Sequence, residues 1–269
     1  MGEEHRIVIP SVLERIPDVC DFIVVACRRA GFNERATYHC QMAVDEACTN
    51  IIEHGYKAAS QSGQIEIVFM DKGDRCTISI LDSSPPFNPL EHDDPNPELP
   101  LHEREQPGGW GIYFIKKMMD AAMYTYENGR NHLNMVKLKT PENMVQPRSQ
   151  PVETRITVRP AGDDVWEVAP AARLAANSAP ELQDVIDAQL EAGHVHLIVN
   201  LGAVSYISTS GLKVLVNAWR RARTQKGNVA LVALNANLHE IFETVGFDQV
   251  FDIYDTVDEA LQNMRKQAA

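Results

Sequence analysis

Ala43-Val-Asp45-Glu46-Ala-Cys-Thr-Asn50-Ile-Ile-Glu-His54-Gly55-Tyr56 decides how the first half of this 269-residue chain is read. Across residues 34–54, Tyr38, Met42, Ala43, Ala47 and Ile51 recur on one face, so the spacing predicts a helix. Glu46 and Asn50 stand four apart and share a side of that helix. A carboxamide oxygen is a hard ligand that adds no charge, which suits a Mg²⁺ ion whose remaining ligands are phosphate oxygens and water. A carboxylate one turn away can take the proton of a hydroxyl or water attacking a phosphate. The same pair also describes a solvated polar face, so the reading depends on what converges beside it.

Working outward, Arg6–Pro10 reads as a short strand and residues 11–30 as an amphipathic helix stopped at Gly31. Residues 64–70 and 75–81 alternate apolar and polar around Asp71-Lys-Gly-Asp74, a hairpin signal. Residues 83–107 are rich in Pro, Asp, Glu and Asn without periodicity, the pattern of a functional loop such as a lid. A helix is expected over 110–122, then a hairpin of 123–127 and 132–138 around Asn128-Gly129. The order is α+β: an antiparallel sheet covered by helices on one face.

Two further features of this half carry chemistry. Asp82 ends an apolar strand just before Ser-Ser84-Pro-Pro-Phe87-Asn-Pro89, where a carboxylate can accept a hydrogen bond from an amine such as that of adenine. An aspartate that only caps the turn fits the same pattern. Gly108-Gly109-Trp110-Gly111 opens a helix, exposing backbone N–H groups that a polyphosphate can approach; a flexible hinge is the other reading.

Residues 141–152 hold three prolines and little apolar content, and are read as a linker spanning at most about 40 Å. Domain limits of 1–140 and 153–269 follow. Beyond the linker, strands are expected at 156–158, 165–168, 195–201, 229–234 and 250–253, alternating with helices at 178–192, 210–223, 238–245 and 257–266. That alternation predicts an α/β fold with a mostly parallel sheet.

Composition narrows the function. Hydrophobic residues make up 44% and charged residues 23%, enough for a packed core in each half. The net charge of −12 is shared by both halves and argues against a nucleic-acid surface. No apolar run is long enough for a bilayer, and the first residues lack the basic and apolar regions of a signal peptide. Cys20, Cys27, Cys40, Cys48 and Cys76 show no C-x-x-C spacing and are expected as buried thiols in a cytoplasmic protein.

Taken in order, four segments resemble the ATP-binding domain of GHKL-type ATPases, and among them the bacterial anti-sigma-factor serine kinases. These are Ala43–Tyr56, Asp82-Ser-Ser-Pro-Pro-Phe-Asn-Pro89, Gly108–Asp120 and Tyr124–Lys137. The resemblance covers about residues 5–139. It implies ATP and Mg²⁺ as cofactors, Glu46 as catalytic base, Asn50 as Mg²⁺ ligand, Asp82 on adenine, and Gly108, Gly109 and Gly111 on the phosphates. The family glycine beneath the adenine is Ser84 here, so a side chain is expected to crowd the base.

Residues 153–266 resemble STAS domains, the anti-sigma-factor antagonists, through Val204-Ser-Tyr-Ile-Ser208-Thr209-Ser210-Gly211-Leu212 and Glu243–Leu261. In that family a hydroxyl at this turn is phosphorylated by the cognate kinase. The resemblance maps it to Thr209, with Ser210 as the alternative and Ser208 in the usual acidic position. A phosphate is well placed at a helix N-terminus, although Thr209 could equally serve as the N-cap. Together the halves imply a partner-switching serine/threonine kinase fused to an antagonist-like domain. Its implied partners are STAS-type antagonists and a sigma factor or other regulator, with no direct nucleic acid or membrane contact; a homodimer is expected from the resemblance. The competing reading is a nucleotide-sensing scaffold that docks partners without turnover.

Overall fold

The computed structural model describes residues 4–95, 110–144, 156–162, 164–170 and 172–268. The chain divides into two compact units, one formed by residues 4–95 and 110–144 and the other by 156–268.

The first unit contains β1 (Glu4–Pro10), α1 (Ile16–Arg29), α2 (Glu34–Asn50), β2 (Gln64–Asp71), β3 (Arg75–Asp82), α3 (Trp110–Met118), β4 (Ala121–Glu127) and β5 (Arg130–Leu138). Its sheet runs β1-β2-β3-β5-β4, with every neighbouring pair antiparallel. Along β2, β3 and β5 every second residue is buried, as a sheet covered on one face requires. Ile65, Ile67, Phe69, Ile78, Ile80 and Met135 pack there against Val19, Ile23, Cys40, Val44 and Ala47 from the helices. All five cysteines are buried and free.

Local chemistry sets the ends of the elements. Asn33 caps α2 by accepting from the Ala36 N–H at 2.8 Å. Past Asn50 the helix continues as a π-helical stretch, Ile51–Lys57, rather than as the α-helix expected to 54. The wider turn brings the buried Tyr56 to the end of β3, where its hydroxyl donates to Gln64 O at 3.2 Å and accepts from Ser83 N–H at 2.9 Å. The helix expected over 110–122 stops at Met118. Asp120 pins the next strand instead: its N–H donates to Val136 O, and its carboxylate accepts from Leu138 N–H at 2.7 Å.

Residues 141–144, expected as the start of the linker, fold back onto this unit. Asn33 donates from its amide to Glu142 O and from its backbone to Asn143 O, and Phe32 bridges to Met144. The remaining linker residues, 145–152, lie outside the described residues, as do 96–107 of the expected lid.

The second unit contains β6 (Thr157–Gly162), β7 (Val165–Ala169), β8 (Ala172–Leu174), α4 (Ala179–Glu191), β9 (His196–Asn200), β10 (Val204–Ile207), α5 (Thr209–Thr224), β11 (Asn228–Val232), α6 (Ala236–Thr244), β12 (Asp252–Tyr254) and α7 (Val257–Ala268). Its main sheet is β12-β11-β9-β7-β6, parallel except for the β6–β7 hairpin. β8 and β10 form a separate parallel pair that the sequence pattern did not reveal. The expected α/β alternation is otherwise present, and β9 and β11 are almost wholly buried.

Candidate functional site

The end of α2, the end of β3 and the β4–β5 hairpin form a cleft open to solvent. Its walls are Ala47, Asn50 and Ile51, then Asp82, Phe87 and Pro89, then Tyr124, Asn131 and Leu133. The alternation of β3 turns Asp82 inward, where it is 2% exposed. Its Oδ1 accepts from Ser84 N–H at 2.8 Å and from Asn131 Nδ2 at 3.0 Å. No donor reaches Oδ2 among the described residues. Asn131 in turn accepts at Oδ1 from the Tyr124 hydroxyl at 2.6 Å. Burial raises the Tyr124 phenol above its usual pKa, and the Phe87 backbone N–H facing its oxygen offsets part of that rise.

Asn50 and Glu46 reach this region from one side of α2. The Asn50 Nδ2 atom is buried and has no partner among the described residues. Such an orphaned amide is costly unless a ligand completes it. The orphaned atom is an N–H donor, so what would complete it is an acceptor such as a phosphate oxygen, which leaves the amide oxygen as the only atom of Asn50 able to meet a cation. The Glu46 carboxylate lies against Gly111 in the first turn of α3, so closely that a Cβ there would collide with Oε2. Behind them, burial, and next the nearby Asp45 and Asp82 carboxylates, push the Cys48 thiol well up and keep it neutral.

Ser84 is placed differently from the expectation that it crowds the base. It is not among the cleft walls. Its hydroxyl points into the protein, 3.3 Å from Asn131 Nδ2 and against Gly55. Gly108 and Gly109 lie outside the described residues.

In the second unit, Ser208 is the N-cap of α5 and accepts from Gly211 N–H at 3.4 Å. Thr209 is the first helical residue and only 5% exposed, whereas Ser210 is half-buried. The capping role considered for Thr209 therefore falls to its neighbour.

Residues 9–137 match the family model of the histidine kinase-like ATPase domain, and residues 162–260 match that of the STAS domain. The chain joins an ATPase domain of this type to a STAS domain. The ATPase domain is similar to the serine-protein kinase RsbW of Bacillus mycoides, with 29% identity over 136 residues, 47% of this chain and 80% of that protein. Against the serine-protein kinase RsbW of Bacillus subtilis the identity is 30% over 104 residues, 38% of this chain and 64% of the relative's length. The STAS domain matches the solved anti-sigma factor antagonist from Mycobacterium paratuberculosis at 25% identity and a TM-score of 0.39, covering 43% of this chain and 95% of that one.

Within the ATPase domain, the structure brings Asn50 and Asp82 to one cleft and Glu46 to the adjoining start of α3. Sequence reading gave no role to Tyr124, Asn131 or Tyr56. Tyr124 and Asn131 stand in a recognised motif, but their value lies in the hydrogen bonds from Tyr124 to Asn131 and from Asn131 to Asp82 across the sheet, which spacing along the chain does not encode. Among the described residues, no helix is long and apolar enough to cross a membrane.

Proposed function

We propose that the chain is an ATP-dependent protein serine/threonine kinase of the anti-sigma-factor type, acting in partner switching through its STAS domain. The observation that carries this reading is the convergence of Asp82, the orphaned Asn50 amide and Glu46 around one cleft and the adjoining first turn of α3. The RsbW relatives of the ATPase domain support it.

In this reading Asp82 accepts a hydrogen bond from the exocyclic amine of adenine. Asn50 contributes its amide oxygen to the Mg²⁺ that accompanies ATP, which neutralises phosphate charge when bound. Glu46 takes the proton of the acceptor hydroxyl as that oxygen bonds to the γ-phosphorus and ADP leaves. Its contact with Gly111 fixes the carboxylate beside the start of α3, where phosphate oxygens find N–H donors. The acceptor is a hydroxyl of a STAS-type antagonist. The product carries a phosphate of about −2 charge, which repels an acidic partner face and releases the complex.

The test is incubation of the full chain with labelled Mg-ATP and candidate STAS proteins. Asn50→Ala should abolish Mg²⁺-dependent ATP binding. Glu46→Gln should keep binding and stop transfer. ATP binding without transfer to any STAS protein would instead leave a nucleotide-sensing scaffold.

A further inference from the structure

We infer that Tyr124, acting through Asn131, is the positioning residue that makes Asp82 a reader of an exocyclic amine; this rests on the nucleotide site proposed above. The three side chains line the same cleft. They form one directed relay. The Tyr124 hydroxyl donates to Asn131 Oδ1 at 2.6 Å, and Asn131 Nδ2 donates to Asp82 Oδ1 at 3.0 Å.

Each link fixes the next. A carboxamide can present either end to a neighbour, and its orientation follows from its partners. A phenol that donates to one end turns the other, the amide nitrogen, toward Asp82. That nitrogen also meets Ser84 O at 3.0 Å and Ser84 Oγ at 3.3 Å, all three neighbours being acceptors. With Tyr124 donating, the amide has one satisfactory orientation. Asp82 then has Oδ1 engaged by Asn131 and Ser84 N–H, and Oδ2 remains as the acceptor for a ligand. Without the phenolic proton the amide keeps its nitrogen toward Asp82 and Ser84 but loses the anchor at Oδ1, so Asn131 can swing and the carboxylate is no longer held at one angle. The relay thus sets which base the cleft accepts: one with an amine donor where adenine carries it.

The readout is discrimination, since a merely structural role would weaken all nucleotides alike. Binding of ATP and of purine riboside triphosphate, which lacks the 6-amino group, is measured by calorimetry on the full chain with Mg²⁺. The native chain should prefer ATP. Tyr124→Phe keeps the ring and removes only the hydroxyl, and should lower the ATP-to-analogue affinity ratio about fivefold, the worth of one net hydrogen bond, with analogue affinity little changed. Asn131→Leu should produce the same loss, and carries the test if circular dichroism shows that Tyr124→Phe is unfolded. A native ratio above one that neither variant changes, or a parallel fall in both affinities, overturns the relay and leaves the nucleotide site standing. A native chain that binds neither nucleotide, or both equally, overturns the reading of Asp82 on which the relay rests.

Discussion

The carboxylate of Glu46 occupies the space that a side chain on Gly111 would need. This ties the fourth turn of α2 to the first turn of α3 at the proposed reacting centre. The atom in the way is the far end of a flexible side chain, so Gly111→Ala should be accommodated by moving Glu46 rather than by unfolding the domain. A displaced base is costly to chemistry, where an error of about 1 Å can lose a hundredfold in rate. Gly111→Ala is expected to retain most of its thermal stability and ATP binding while transfer falls about a hundredfold. Equal transfer rates for the variant and the native chain would remove Glu46 from the base role.

A second close approach makes a different prediction. A Cβ on Gly55 would lie 2.5 Å from Ser84 Oγ and 2.9 Å from Ser84 Cβ. Ser84 has no flexible end to retract, and its own backbone N–H holds Asp82. Gly55→Ala should therefore shift the Asp82 turn and weaken ATP binding, by about tenfold for a cost near 1.4 kcal/mol. Ser84→Gly alone should leave affinity almost unchanged, since the serine points away from the cleft. Combined with Gly55→Ala it should restore binding, a coupling that a double-mutant cycle measures directly. Additive effects would show that the two residues do not share this contact.

These two contacts mark where the sequence stopped being informative. Helical spacing around Glu46 and Asn50, alternation in β2 and β3, and the Asn128-Gly129 turn are local signals, and the folded elements follow them. The π-helical stretch at Ile51–Lys57 is not local in origin: Tyr56 must reach Ser83 N–H and Gln64 O, and the helix widens to allow it. The same holds for Ser84. Its departure from the family glycine is visible in sequence, but the direction of its side chain is set by Gly55 and Asn131. β8 is three residues long and β10 four, too short for periodicity to register.

The STAS domain carries a pH-dependent element. Burial alone would raise the pKa of Glu167, but hydrogen bonds from Arg159 and Asn200, with the guanidinium charge, outweigh it and hold the carboxyl below its ordinary 4.5. A depressed folded pKa contributes stability above the unfolded value, lost as pH falls through the folded one. Glu167→Gln should thus destabilise the full chain at neutral pH by about 1–2 kcal/mol, the scale of a charged hydrogen bond. The gap should close below pH 4.5, as the native carboxyl takes up its proton. Urea unfolding followed by circular dichroism across this range checks it; a gap constant with pH would mean the charge is immaterial.

The final prediction concerns which hydroxyl at the start of α5 accepts phosphate. The resemblance to STAS domains maps the acceptor to Thr209, the residue just before Ser-Gly-Leu. In the folded domain it is the first helical residue and 5% exposed, so a γ-phosphate can reach it only if the first turn opens. Ser210, one position on, is half-buried and needs no such opening. A phosphate on either would sit at the positive end of a 16-residue helix, so the dipole does not discriminate between them. Access does. A cognate kinase given Mg-ATP should label Ser210, Ser210→Ala should remove the label, and Thr209→Val should leave it. The full chain should label its own Thr209 slowly or not at all, leaving its kinase site for a separate STAS protein. Peptide mapping by mass spectrometry decides the matter. Rapid, stoichiometric and concentration-independent labelling of Thr209 would show instead that the first turn of α5 opens and that the chain is an intramolecular kinase–substrate pair.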